Sequence, residues 1–355
     1  MKALYFGTYD RASPRNTQVV SCLRRAGVTV VERHREVWGR QNWSVGLGQL
    51  ARVVRAEGAL ARRQPDDADV VVVGYPGHFD MPAARRIARK RPVVFNPLVS
   101  LHDTFVGDRA RFRPRSPAAG VLRAIDSGAF RGADLVVADT EAQADFFRRV
   151  FGLPGERVAV ALVGAEEPLF RPGYHPPEPF HALFVGKLIP LHGLETILEA
   201  AALAPEIPFR VVGDGQLAEL LERRPPNVEH VPWIPYEELP EAYRAAGCAL
   251  GIFGTSEKAA RVIPNKVFQA LACAAPVVTG DTVGARELLT DGADAILVPP
   301  GDAAALAGAV RRLAADQQLA QRLGDAGREA FEARASEEVL GAQWRSLLER
   351  VVAGR

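Results

Sequence analysis

Short runs of apolar, largely β-branched residues recur along the chain, separated by stretches in which apolar positions return every three or four residues. In the first half these runs are Lys2–Phe6, Val28–Glu32, Asp69–Val73, Pro92–Phe95, Asp134–Ala138 and Arg157–Ala161. They do not alternate strictly, so both faces of each predicted strand are covered, the pattern of a parallel sheet flanked by helices. This predicts a Rossmann-like domain. The second half repeats the pattern at His181–Val185, Phe209–Val212, Val228–Val231, Ala249–Phe253, Pro276–Thr279 and Ala295–Val298, which predicts a second doubly wound domain. Between the halves, residues 168–179 hold five prolines in twelve positions, too many for a helix interior or a central strand, and read as a linker. Near the end, Ser336 caps a helix that places Leu340, Trp344, Leu347, Leu348 and Val351 on one face. So apolar a face has to dock, and it is expected to cross back to the first domain. The predicted division is 1–170, a linker at 171–180, 181–335, and a terminal helix at 336–355. The carboxyl ends of the two sheets are expected to face a cleft, where open α/β sheets bind their ligands.

Composition narrows the class without naming it. Of 355 residues, 48% are hydrophobic and 24% charged, which excludes a disordered, collagen-like or disulfide-stapled chain. No apolar run approaches the roughly 18–20 residues that span a bilayer, and Met1–Gly7 turns polar too soon for a signal sequence. A cytoplasmic location is expected, with peripheral contact at the inner membrane face through the basic half. Cys22, Cys248 and Cys273 sit far apart in apolar surroundings with no metal spacing, as buried reduced thiols do. The net charge of +2 conceals an asymmetry: residues 1–171 hold 27 Lys+Arg against 18 Asp+Glu, and residues 172–355 hold 17 against 24. Because 39 of the 44 basic residues are Arg, arginine is the default cation here, and only its placement is informative.

Several strand ends in the second half run into glycine or proline loops that open helices. Val185-Gly186-Lys187 through His192-Gly193 places a lysine and a histidine where free backbone N–H groups and the helix dipole favour an anion. A plain strand-to-helix turn with a solvated lysine has the same spacing. Gly213 and Gly215 after the next strand resemble half of a dinucleotide fingerprint, and alone they read as a tight loop. Pro264 suits a first helical turn, so the backbone donors of Asn265 and Lys266 can face a ligand. With Thr279–Leu289, these loops favour a nucleotide-like anion.

Together these segments resemble the donor domain of family 4 retaining glycosyltransferases, which have the two-Rossmann GT-B fold. The resemblance rests on V-G-K-x-x-P-x-H-G at 185–193, V-x-G-D-G at 211–215, N-K-x-F-x-A-L-A at 265–272, P-V-V at 276–278 and R-E-L-L-x-D-G at 286–292. The segment Val163–Pro172 resembles the family's exit from its first domain. The resemblance implies that Lys187 is the first diphosphate-binding cation and that His192 stands where a second, usually Lys, would be. A histidine there makes that contact pH-sensitive. The family's Glu-x7-Glu signature falls on Arg261 and Gln269, so both carboxylates are replaced. Gln269 can accept a ribose hydroxyl only as a neutral group, and donor reading would pass to Asn265, Lys266 and Glu287.

In the first half, Tyr9 and Asp10 follow the first strand, and His102 follows the Val93–Phe95 strand where such enzymes often keep a catalytic histidine beside the donor sugar. His78 is a rival on the acceptor side. Asp108–Arg115 carries four Arg in seven residues, among them Arg109 and Arg111, and reads equally as a solvated loop or as a landing site for an anionic acceptor or membrane headgroups. The resemblance implies metal-independent transfer, with no cofactor, from a nucleoside-diphosphate sugar, UDP-sugar first among them, to a saccharide, lipid-linked or small-molecule acceptor. No nucleic acid partner is expected. The alternatives are a degenerate nucleotide-binding partner subunit, motivated by Arg261 and Gln269, and a sugar-nucleotide epimerase, which would need more converging carboxylates.

Overall fold

The structure is a computed structural model that describes residues 1–11, 13–37, 47–62, 67–175 and 178–354. Its contacts divide the chain into one unit of Met1–Leu162 with Glu337–Arg355 and a second of Val163–Ser336. The first unit opens β1 (Lys2–Gly7), α1 (Pro14–Arg25), β2 (Thr29–His34), α2 (Leu47–Ala61), β3 (Val70–Val73), α3 (Met81–Ala88) and β4 (Val93–Phe95). It continues through α4 (Pro117–Gly132), β5 (Leu135–Ala138), α5 (Glu141–Phe151) and β6 (Val158–Val160). Its strands form one parallel sheet in the order β2-β1-β3-β4-β5-β6.

The second unit contains β7 (Ala182–Val185), α6 (Leu194–Leu203), β8 (Phe209–Val212), β9 (Val228–Val231), α7 (Leu239–Arg244), β10 (Cys248–Leu250) and α8 (Glu257–Arg261). After these come α9 (Asn265–Ala272), β11 (Val277–Gly280), β12 (Ile296–Val298), α10 (Ala303–Ala315) and α11 (Gln317–Ala335). Its sheet is also parallel, in the order β12-β11-β10-β7-β8-β9. Each of the twelve runs read from the sequence overlaps one of these strands, and eight contain theirs whole. The reason is visible in β3, where Val70, Val71, Val72 and Val73 are all fully buried, so an unbroken apolar run fills both faces of the sheet.

The last helix, α12 (Glu337–Ala353), returns to the first unit. Leu340, Trp344 and Leu348 are fully buried in one cluster with Val19, Cys22 and Leu23 of α1. The close fit is set at Gly341, where a Cβ would lie 2.6 Å from the Cys22 carbonyl oxygen. The guanidinium of Arg15, itself fully buried, lies 5.8 Å from the centre of the Trp344 ring and donates to Asn96 Oδ1 at 2.9 and 3.1 Å.

The boundary between the units differs from the sequence reading. Residues 163–170 belong to the second unit, because Phe170 is fully buried there, its ring 5.7 Å from Tyr236 and 6.3 Å from Tyr243. The first part of the predicted linker is also fastened to that unit: His175 N–H donates to the Arg244 carbonyl at 3.0 Å and the Tyr174 hydroxyl to the Gly247 carbonyl at 3.2 Å. Pro176 and Pro177 lie outside the described residues. All three cysteines are buried and unpaired with one another. Among the described residues no helix is long and apolar enough to cross a membrane.

Candidate functional site

In the second unit the sheet runs outward from β7 through β8 and β9 on one side and from β10 through β11 and β12 on the other. The connections therefore diverge between β7 and β10, the place where a doubly wound sheet opens a crevice. Gly186 ends β7 with φ +151°, and Gly213 ends β8 with φ +144°. A Cβ on Gly213 would sit 1.9 Å from the Gly186 carbonyl oxygen, so the end of β8 presses directly on the turn. The turn is fixed by Gly186 N–H donating to Val212 and Leu188 N–H to the Asp214 carbonyl, at 2.9 and 3.0 Å. Gly215 supports the turn's far end, since a Cβ there would lie 2.7 Å from the Leu188 carbonyl oxygen.

Lys187 stands exposed at the apex. Five residues on, a single 3-10 turn carries His192, which is buried, edge-on to Phe184, with Nδ1 hydrogen-bonded to the Lys187 carbonyl. The imidazole thus braces the turn. Opposite, Pro264 caps α9 through backbone geometry without a side-chain bond, leaving first-turn N–H groups at Asn265 and Lys266 for an anion. The Lys266 side chain does not reach solvent. Its ammonium nitrogen is buried without a hydrogen-bond partner, 3.6 Å from the centre of the Phe184 ring, and burial alone holds its pKa well below the usual lysine range.

The remaining predicted residues of this unit take other places. Gln269 is buried, its carbonyl accepting from the Tyr243 hydroxyl at 3.3 Å and its amide donating to Tyr236 Oη at 3.2 Å. The Tyr236 hydroxyl is also hydrogen-bonded to Glu166, and burial followed by that carboxylate raises its pKa. The side chain expected to hold a ribose is therefore occupied by two tyrosines. Arg261 is buried at the end of α8 and lies 3.6 Å from exposed Glu257. Glu287 is half-buried on a short 3-10 turn, and its carbonyl accepts from Arg334.

In the first unit the corresponding divergence lies between β1 and β3. Gly7 leaves room there for Asp80: a Cβ on it would come 2.1 Å from Asp80 Oδ2. Asp80 accepts from Thr8 N–H and the Thr8 hydroxyl, both at 2.8 Å, and abuts Glu57 of α2. Burial raises the pKa of both carboxyls, and the charge of Asp80 raises that of Glu57 further. One proton shared across this pair is the physical expectation.

His102 is half-buried at the start of the turn that leads into Asp103–Asp108. Its backbone is held by Asp126 of α4, a fully buried carboxylate that accepts from Leu101 N–H at 3.0 Å, His102 N–H at 2.9 Å and the Ser100 hydroxyl at 2.6 Å. His78, placed on the acceptor side by sequence, turns inward instead. Its side chain is fully buried, with Nε2 3.4 Å from Asp126 Oδ1 and the ring edge-on to Phe95. Burial depresses its pKa although Asp126 pulls the other way.

Tyr9 is also enclosed, its hydroxyl donating to Glu32 at 2.7 Å beside a cavity of about 570 Å³ between α1 and β2. That cavity's charges are matched among themselves, Arg11 and Arg24 on Glu32 and Arg25 near Glu337. Asp10 is half-buried and its carbonyl accepts from Asn16 and Ser13. Arg109 lies over Phe105 at 5.6 Å, while Arg111, Arg113 and Arg115 are exposed.

Sequence reasoning missed Asp126, Asp80 and Glu57. Asp126 did leave a signal, a charge on the apolar stripe of α4 between Leu122 and Phe130. The partners of Asp80 come from β1 and α2, which no local pattern shows.

Comparison with known proteins brings the two units under one description. Residues 7–164 match a family model described as glycosyl transferase 4-like domain, and residues 179–316 match one described as glycosyl transferases group 1. The chain is 26% identical over 305 residues to a D-inositol 3-phosphate glycosyltransferase of Streptomyces bingchenggensis; the match takes in 75% of this chain but spans only 63% of that relative. Among solved structures it resembles a sucrose-phosphate synthase from Thermosynechococcus elongatus, with a TM-score of 0.76, 20% identity, and coverage of 100% of this chain and 99% of that one. It also resembles HepE from Anabaena, solved in complex with UDP-glucose, with a TM-score of 0.71, 19% identity, and coverage of 99% and 100%. At these identities the likeness shows a shared fold, two Rossmann-like domains of the GT-B type.

Proposed function

The chain carries both domains of a group 1, GT4-like glycosyltransferase, and from that premise we propose that it moves a sugar from a nucleoside diphosphate to an acceptor hydroxyl. The observation that carries this reading is the turn at the β7–β10 divergence. There exposed Lys187 and the uncapped N-terminus of α9 supply positive potential around one strand end, and His192 braces the turn that carries the lysine. The unit containing it has more acidic than basic residues, so only such local donors can hold a diphosphate. Stabilising charge on a departing nucleoside diphosphate is the main catalytic task, and fixed N–H groups with one or two cations are suited to it. The solved HepE complex with UDP-glucose makes a uridine nucleotide the first to test. Retention and independence of metal are part of the proposal through the family 4 resemblance. In the other unit, His102 is the group proposed to face the reacting sugar. The exposed Arg111, Arg113 and Arg115 give the acceptor side a surface for an anionic acceptor or membrane headgroups.

One observation favours the alternative of a binding subunit without turnover: Gln269 is already engaged by Tyr236 and Tyr243. The test separates the two. Melting temperatures measured with uridine, guanosine, adenosine and thymidine diphosphates should rise for at least one nucleotide, and Lys187→Ala should reduce that rise. Slow release of free sugar from the matching nucleotide sugar then marks a transferase, whereas binding with no sugar release and no transfer to any acceptor marks the binding subunit. The absence of a shift with every nucleotide would remove the donor-site assignment.

A further inference from the structure

A lysine that is buried without a partner destabilises a protein, and its presence at a ligand-facing turn calls for a reason. Lys266 is 6% exposed, and its ammonium nitrogen has no hydrogen-bond partner. It lies against the turn already described: a Cβ on Gly186 would be 2.7 Å from Lys266 Nζ and 3.3 Å from His192 Cε1. Beneath it is the Phe184 face at 3.6 Å, a favourable contact for a cation. Lysine and histidine thus converge on a residue with no side chain, at the strand end where the sheet connections diverge. The bases on the turn after β7 and on α8 are Lys187, His192, Lys258 and Arg261; the acids on α8 and on the helices packed against α9 are exposed, Glu257 beside Arg261, Glu241 beside Arg244 on α7, and Asp325, Glu329 and Glu332 on α11. The other polar side chains of α9 itself, Asn265 and Gln269, are neutral. Burial, with no carboxylate contributing, keeps the proton affinity of Lys266 low in the empty protein.

We propose that Lys266 is a proton-gated cation of the donor site: neutral while the site is empty, it takes one proton from solvent as a nucleoside diphosphate settles on the Gly186 turn, and its ammonium then faces a phosphate oxygen. The inference rests on the donor reading above and adds a regulation to it, since binding becomes linked to proton uptake. No bond other than the N–H bond forms, and the phosphate charge compensates the ammonium that burial alone disfavours. Release of the nucleoside diphosphate after sugar transfer returns the proton.

The sign of the linkage follows from the direction of the shift. An anion raises the proton affinity of Lys266 above that of the empty site, so affinity falls as pH rises through the window between the two. For one proton the dissociation constant rises by a factor approaching ~10 per pH unit inside that window. Work above pH 8 keeps the nucleotide's terminal phosphate ionised, and the His192→Asn variant removes the imidazole from the linkage.

The experiment is isothermal titration of the full chain with uridine, guanosine and adenosine diphosphates at pH 8.2, in two buffers of different ionisation enthalpy, on native protein, Lys266→Met and His192→Asn. Lys266→Met preserves the volume and removes a buried amine, so it should fold and melt at a higher temperature than the native protein without nucleotide. The expected result is uptake of most of one proton by native protein and by His192→Asn. Lys266→Met should show no uptake and bind about tenfold or more weakly. Equal affinity and equal uptake in native protein and Lys266→Met would overturn the inference while leaving the donor site standing. Absence of binding heat with every nucleotide on native protein would overturn the donor reading, and the inference with it.

Discussion

Replacing Asp126 tests how the first unit holds the segment that carries His102. The carboxylate is fully buried and accepts three hydrogen bonds, from Leu101 N–H, His102 N–H and the Ser100 hydroxyl. Hydrogen bonds to a charged acceptor each contribute about 1.5–3 kcal/mol, which puts an upper bound near 9 kcal/mol on Asp126→Ala. Two features reduce it: His102 is half-buried, so water can reach its N–H, and the Ser100 hydroxyl can rotate to another acceptor. A loss of about 3–5 kcal/mol remains, the range for stranding a buried polar cluster. Asp126→Asn keeps one acceptor oxygen but turns an NH₂ toward a donor, and should lose about 2–3 kcal/mol. Urea unfolding of both variants, read by hydrogen exchange at residues 98–108, gives the comparison. The local opening should exceed the global change, and kcat of Asp126→Asn should fall while the donor KM stays close to native. A loss below about 1 kcal/mol for Asp126→Ala, or equal values for the two variants, would refute the reasoning, because the carboxylate would then not be the acceptor that fixes the segment.

Trp344→Ala should cost about 3–5 kcal/mol, with faster hydrogen exchange in α1 and the β1–β3 strands and none in residues 163–336, since the indole is buried wholly in the first unit. Gln269→Glu, which restores the family's carboxylate, should lower stability by about 1–3 kcal/mol at pH 8. The Tyr236 hydroxyl is hydrogen-bonded to Glu166 and would face a second acceptor, so acidification that protonates residue 269 should recover the loss in a pH series of thermal melts. Glu57→Gln should raise the melting temperature at pH 8 and flatten its pH dependence. The native state keeps a proton on the Glu57–Asp80 pair that the unfolded chain releases above the ordinary carboxylate range, so this pair's contribution is complete in acid and declines as pH rises. An unchanged slope in the variant would mean that both groups are ionised in the folded protein.

The strands were legible because each buries both faces and so had to be written as an apolar run; Val70–Val73 needs no tertiary information to be read. The Gly186 turn was legible for a related reason, since a glycine at a strand end followed by a lysine is a local pattern. What sequence could not show is direction. His78 and His102 both follow strand ends, yet one ring points into a cluster of Phe95 and Phe130 and the other stays half-exposed. Gln269 was read as a free acceptor because its partners lie 33 and 26 residues earlier, at Tyr236 and Tyr243, brought together only when α7 packs on α9. Lys266 read as a loop lysine offering its backbone, and its burial depends on Phe184 of a strand some eighty residues away. The boundary near residue 163 was displaced because prolines mark where regular structure stops, whereas Phe170 decides which core the chain joins.

The return of α12 has a consequence for synthesis. The first sheet is complete by residue 160, but its helix α1 remains without Trp344, Leu340 and Leu348 until the whole of residues 163–336 has been made. The second unit is a continuous stretch, residues 163–336, inserted between the two parts of the first. Its strands and helices are all available earlier, so the usual order in which amino-terminal domains finish first is reversed. During translation the first unit waits with an apolar groove along α1, and chaperone occupancy should concentrate there. A released chain that ends just before residue 337 should therefore resist protease across 163–336 while remaining cleavable within 1–162.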